Sequence, residues 1–308
     1  MNSNNTNRLG ATDLLMLLTC LFWAVNFSVV KIALREFPPH AFNTSRLVIA
    51  SVVLLVYLWR KEGGFAVGPG DLLRLAALGI VGNTVYQLLF INGIRRTTAS
   101  SASLIMTMSP ILIALLSASF GVERIRWAGW AGIFVAFAGL YLVVFGHSGS
   151  FPLSGEALKG DLFILAGNFC WAGYTVFSRP LLTRMSPLKL TTLTLAFGAL
   201  FYIPAGAREI TAVPWLRLSP LGWATLLYSA VFSFALGYVI WYSSVKRVGN
   251  TKTGIYGYIT PVFAVIVAHV FLAEDFHLFQ AAGALVIFLG FYLTRFGDRL
   301  IAGKKETA

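Results

Sequence analysis

Polar and aromatic residues recur at helical spacing in four places, and their chemistry is that of a binding surface. Trp23, Asn26, Phe27 and Val30 follow i, i+3, i+4, i+7, and Asn83, Tyr86, Gln87 and Phe90 do the same. Asn168, Trp171, Tyr174 and Thr175 make a third such face, and Tyr238, Trp241 and Tyr242 a fourth. Side chains three and four residues apart share one side of a helix. Amides in an apolar segment need partners, so these faces point inward, either to a cavity or to interhelical hydrogen bonds. The aromatic rings can wall a cavity or sit in interfacial belts, where Trp and Tyr also gather.

Arg46 is the single cation well inside an apolar run. It lies about six residues past the start of its run, hence about 9 Å deep at the helical rise. Left in lipid it would cost about 2.5 to 3.5 kcal/mol or more, so it faces the bundle, a wet cavity or the interface. Carboxylate recognition and a structural role are both open to it. Pro110 and Pro261 each fall within an apolar run. Proline removes a backbone donor and clashes with the preceding turn, which is expected to leave the carbonyls near Met106 and Gly257 free, with Ser109, Tyr256 and Tyr258 close by.

No reaction centre emerges. All twelve carboxylates lie at the ends of apolar runs or between them, so the paired acid and base of an enzyme is missing, which argues against a membrane enzyme or receptor. Ion-coupled carriers keep a costly intramembrane acid for ion handling; without one, facilitated movement is expected. His269, the one histidine inside a run, is the alternative proton relay. Cys20 and Cys170 each sit inside an apolar run and read as neither disulfide nor metal ligands. No metal and no cofactor are expected.

The elements that must position these residues follow from composition. Of 308 residues 57% are hydrophobic and 12% charged, against about 45–50% and 25% in soluble domains. This is the composition of an integral membrane protein. A helix crosses a bilayer in about 20 apolar residues, and ten such runs are found near 12–32, 41–59, 72–93, 98–120, 127–146, 161–179, 187–206, 219–244, 251–272 and 278–296. They are continuously apolar, without the alternation of a membrane barrel, so the fold is all-α. The net charge of +12 is spread between the runs, a topology signal and not a nucleic-acid patch. Sixteen Lys and Arg flank the spans on the side holding both termini and seven on the other, which places both termini in the cytoplasm. No small-residue cleavage site follows the first run, which is expected to stay in the mature protein.

The chain also repeats itself. At an offset of 148, Asp13-Leu14-Leu15 meets Asp161-Leu162-Phe163, Trp23-Ala24 meets Trp171-Ala172, Lys31 meets Arg179 and Pro39 meets Pro187. At an offset of 151, Arg95-Arg96 falls on Lys246-Arg247, Pro110 on Pro261, Glu123 on Glu274, and Gly132, Gly139 and Gly146 on Gly283, Gly290 and Gly297. The glycine stripes suit close helix packing. Residues 12–146 and 161–297 thus form two five-helix repeats joined by a linker, 147–160. With an odd number of spans per half, the second is inverted, and an inverted repeat places a substrate site near the midplane between halves.

The Trp23-Ala24-Val25-Asn26-Phe27 opening, its echo Trp171-Ala172-Gly173-Tyr174, the Pro110 and Pro261 spans and the glutamates Glu123 and Glu274 resemble the drug/metabolite transporter superfamily. The similarity is to the ten-span type built of two EamA repeats and, within it, to the aromatic amino acid exporter subgroup. It covers about residues 12–297. The resemblance implies a central cavity lined chiefly by the first four spans of each half, with the fifth and tenth peripheral. It also implies outward movement of amino acids, drugs or other metabolites across the bacterial inner membrane. The expected function is alternating-access, facilitative export of small amphiphilic metabolites, foremost amino acids including aromatic ones. A broad-specificity, proton-coupled drug or metabolite exporter is the nearest alternative. Oligomeric state stays open, a monomer included.

Overall fold

The computed structural model describes residues 10–97, 102, 105–145, 155–263, 282, 283 and 285–294. These residues form helices and short connections, with no strand among them. In chain order the helices are α1 (Ala11–Ala33), α2 (Pro39–Glu62), α3 (Pro69–Ile94), α4 (Ser109–Ser119) and α5 (Trp127–Phe145), then α6 (Gly155–Leu182), α7 (Pro187–Ala212), α8 (Pro220–Val248), α9 (Asn250–Gly254) and α10 (Leu285–Thr294). α9 runs on as a 3-10 turn over Ile255–Tyr258. α1, α2, α3, α7 and α8 are each long and apolar enough to cross a membrane.

Local chemistry sets the helix ends. Proline stands in the first turn of α2, α3, α7 and α8, where its fixed φ and missing N–H cost nothing. Ser186 and Ser219 cap α7 and α8, their hydroxyls accepting from the amides of Lys189 and Gly222. α2 closes with Arg60 and Lys61 in its last turn and Gly63 at φ 72°, a left-handed position that glycine takes without strain.

The two halves pack as an inverted pair. α2 lies antiparallel to α7, and each helix ends in a glutamate that holds the start of the other. Glu62 accepts from the Ser186 hydroxyl at 2.5 Å, and Glu209 from the amides of His40 and Ala41 at 2.6 and 3.0 Å. α1 packs on α8 as its counterpart α6 packs on α3. α5 and α10 meet through glycine in the same reciprocal way. A Cβ on Gly132 would stand 2.6 Å from the Gly290 carbonyl oxygen, and one on Gly139 would stand 2.7 Å from that of Gly283. Since Gly132 matches Gly283 and Gly139 matches Gly290, this exchange is the signature of a two-fold relation. Among the described residues the fold is all-α, with ten helices in two inverted repeats around a central cavity.

Two expectations are modified. The fourth run is not one continuous helix, because the chain turns at Thr107 and Met108 before α4 begins. Pro110 therefore sits in the first turn of a helix and kinks nothing. α6 starts at Gly155, inside the expected linker; residues 147–154 lie outside the described residues. So do Gly146, His269, Glu274 and Gly297.

Candidate functional site

Both α3 and α8 contain a stretch of π-helix, over Ile80–Val85 and Ser229–Leu236. These are matching places in the two repeats. A π turn holds an extra residue, turns the helix that follows, and frees a carbonyl from the regular ladder. In α8 the carbonyl of Ser233 accepts from the Trp23 indole at 3.0 Å, which ties α1 to α8 at the wall of the central cavity.

That cavity has a volume of about 100 Å³, room for several waters at about 10–15 Å³ each. Of the expected site residues it brings together Trp23, Asn26, Arg46, Tyr86, Gln87, Trp171, Tyr238 and Pro261. Helices α1, α2, α3, α6 and α8 and the segment after α9 thus converge on one space from both halves. Trp171 is the hub of the apolar wall, its ring centroid 5.6 Å from Trp23, 5.7 Å from Tyr86, 5.1 Å from Tyr238 and 5.6 Å from Trp241. Such offset and edge-on pairs each add about 0.5–1.5 kcal/mol beyond area burial.

Arg46 supplies the polar end. It is 1% exposed, and its guanidinium donates to Asn43 Oδ1 at 2.7 Å, Ser229 Oγ at 2.9 Å and Gln87 Oε1 at 3.0 Å. It also lies over the rings of Phe42 and Phe234, at 5.2 and 4.8 Å. All three acceptors are neutral, and no carboxylate among the described residues pairs with it. Three of the five guanidinium donors are in use. A buried charge without a counterion costs several kcal/mol, so the cavity carries an unbalanced positive charge on an otherwise aromatic wall. Asn26, 9% exposed on the same cavity, has an Oδ1 with no partner among the described residues.

The remaining expected residues lie elsewhere. Asn83 donates to the Thr194 carbonyl at 3.3 Å, holding α3 on α7. The Tyr174 hydroxyl is 2.6 Å from Thr194 Oγ1, and its ring lies tilted against that of Tyr242, centroids 5.0 Å apart. Tyr258 is fully buried and does not line the cavity. The carbonyls expected to be free near Pro110 are taken. Asn168 donates to the Ile105 carbonyl at 2.7 Å, and the Ser109 hydroxyl to that of Met106 at 2.6 Å. In the ninth run, where the 3-10 turn over Ile255–Tyr258 precedes Pro261, the Cys20 thiol donates to the Tyr256 carbonyl at 3.2 Å. Ser229, Ser233, Phe234, Thr107 and Thr260 were not singled out by spacing. The Ser229/Ser233 pair, one turn apart in an apolar run, is the one signal that could have marked the polar side of α8.

Comparison with known proteins agrees with this architecture. The model of the EamA-like transporter family matches residues 10–145 and again 158–296. The chain is 31% identical to an uncharacterized transporter of Archaeoglobus fulgidus over 92% of this chain and 96% of that protein. It is 30% identical to the uncharacterized transporter YyaM of Bacillus subtilis, over 88% of each. A probable terminal-alkyne amino-acid exporter of Streptantibioticus cattleyicolor is 27% identical over 84% of each. A crystal structure with 20% identity superposes with a TM-score of 0.79, covering 94% of this chain and 98% of that one, a likeness of fold. Two family matches in one chain coincide with its two inverted halves, and the protein belongs to the EamA-like transporter family of membrane transporters.

Proposed function

We propose that this transporter exports small amphiphilic amino acids, aromatic ones included, by alternating access and down their gradient. The observation that carries the reading is the uncompensated guanidinium of Arg46 on the wall of an aromatic cavity. A substrate carboxylate there meets two unused N–H donors and the counterion-free charge, while its side chain lies against Trp171 and Tyr86. Asn26 Oδ1 is an acceptor for the ammonium group. The similarity to a probable amino-acid exporter supports the substrate class. Cytoplasmic termini in a bacterial inner membrane, with repeats over 12–146 and 161–297, belong to the same reading and rest on the charge and repeat patterns of the sequence.

Counterflow in proteoliposomes tests it, with free amino acids set against their methyl esters. A hydrogen bond to a charged group is worth about 1.5–3 kcal/mol, so the parent should favour the acid by about 10- to 100-fold and Arg46→Gln should abolish that preference. Equal flux of acid and ester in the parent overturns the reading. Dye transport untouched by Arg46→Gln would instead favour a broad drug exporter.

A further inference from the structure

A second recess, of about 380 Å³, lies outside the central cavity, between the α4–α5 connection, the end of α6, the start of α9 and Thr294 of α10. Arg124, Arg126, Arg179 and Lys252 line it, with Glu123 as the one carboxylate among the lining residues. Glu123 is already committed. It accepts from the amide and hydroxyl of Thr251 at 3.0 and 2.7 Å and pairs with Arg179 at 2.5 Å. Glu123 and Arg179 therefore balance each other. Arg124, Arg126 and Lys252 have no ion pair or side-chain hydrogen bond among the described residues, so the described residues give the recess an excess of three positive charges.

An apolar strip adjoins it. Phe120 and Phe177 are 61% and 41% exposed, with ring centroids 5.0 Å apart, and Phe177 is two residues before Arg179. Trp127, directly after Arg126, is 78% exposed. Exposed aromatics of this kind mark the level at which bilayer meets water. Basic pockets between spans at that level are suited to anionic headgroups.

We infer that this recess binds the phosphate of an anionic phospholipid, whose acyl chains lie along Phe120 and Phe177. The three unpaired cations receive the phosphate, and the aromatic strip makes a lipid the occupant in preference to a free anion. The site lies on the face that carries Arg60, Lys61, the start of α1 and the end of α10, where Lys and Arg outnumber Asp and Glu among the described residues.

The test is native mass spectrometry of the full chain, delipidated and then offered phosphatidylglycerol and phosphatidylcholine in equal amounts. The parent should retain phosphatidylglycerol about 100-fold over phosphatidylcholine, and R124Q/R126Q/K252Q should bring the ratio below about twofold. R60Q/K61Q, on the same face but away from the recess, should keep the parental ratio. Singly, R124Q and R126Q alter exposed side chains and should each lower the ratio about fivefold, a readout that survives if the triple variant fails to fold. Parental ratios in the single and triple variants overturn the proposal, as does an equal loss in R60Q/K61Q. Release of the lipid by inorganic phosphate at equal concentration also overturns it, since that identifies a free-anion site.

Discussion

Trp23 and Trp171, the same position in the two copies of the repeat, meet edge to face with centroids 5.6 Å apart and planes at 88°. Equivalent residues touch each other only near the axis that relates the halves, so this pair marks where the two repeats face one another. The cavity opens beside it. Arg46 and its acceptors on α2, α3 and α8 lie off that axis, which makes the cavity polar on one side and aromatic at its centre.

If the aromatic wall receives the substrate side chain, Trp171→Ala and Tyr86→Ala should lower the flux of aromatic amino acids more than that of alanine or threonine. The expected loss is about 2- to 12-fold, from about 0.5–1.5 kcal/mol per lost ring contact. Flux per amount of folded protein in the membrane is the measurement. An equal effect on all substrates would make the wall a packing surface.

No carboxylate lines the central cavity among the described residues. Flux in liposomes should therefore persist when the pH difference and the membrane potential are dissipated. Flux that stops, and resumes with an imposed proton gradient, would oppose this and bring His269 forward.

The excess of Lys and Arg on one side predicts that reporters fused to the N- and C-termini both read out as cytoplasmic. An external signal at either end contradicts the assigned orientation.

A Cβ at Gly82 would overlap the root of the Tyr174 ring, which a side chain cannot swing aside. Gly82→Ala should destabilise by about 1–3 kcal/mol, read as a lower thermal midpoint in detergent. Gly64→Ala, where nothing lies within 4 Å, is the control.

Glu36, between α1 and α2, accepts from the Ser219 hydroxyl at 2.6 Å and the Ser219 amide at 3.0 Å. These bonds hold its carboxyl below the ordinary glutamate range. The contribution to stability is then complete above that range, at about pH 4.3, and is lost as pH falls through the lowered folded-state value. Glu36→Gln should lower the thermal midpoint at pH 7, and the difference from the parent should vanish as the solution is acidified below pH 4.

The sequence by itself determined the membrane class, the helical spans and the inverted duplication, because hydropathy and length decide what can cross a bilayer and an odd span count decides orientation. It also determined that Trp23 and Trp171 are equivalent. Only the tertiary structure decided which inward residues share a space. Asn83 and Gln87 lie on one face by spacing, yet Asn83 joins α3 to α7 and Gln87 reaches the cavity. The π stretches at Ile80–Val85 and Ser229–Leu236 are one cause, since regular periodicity fails across an inserted residue. The other is distance along the chain. Arg46 finds Ser229 across 183 residues, and Asn168 donates to the Ile105 carbonyl 63 residues earlier. Whether a buried donor meets an acceptor, a neighbouring helix or an open cavity depends on how helices dock, which spacing within one helix does not contain.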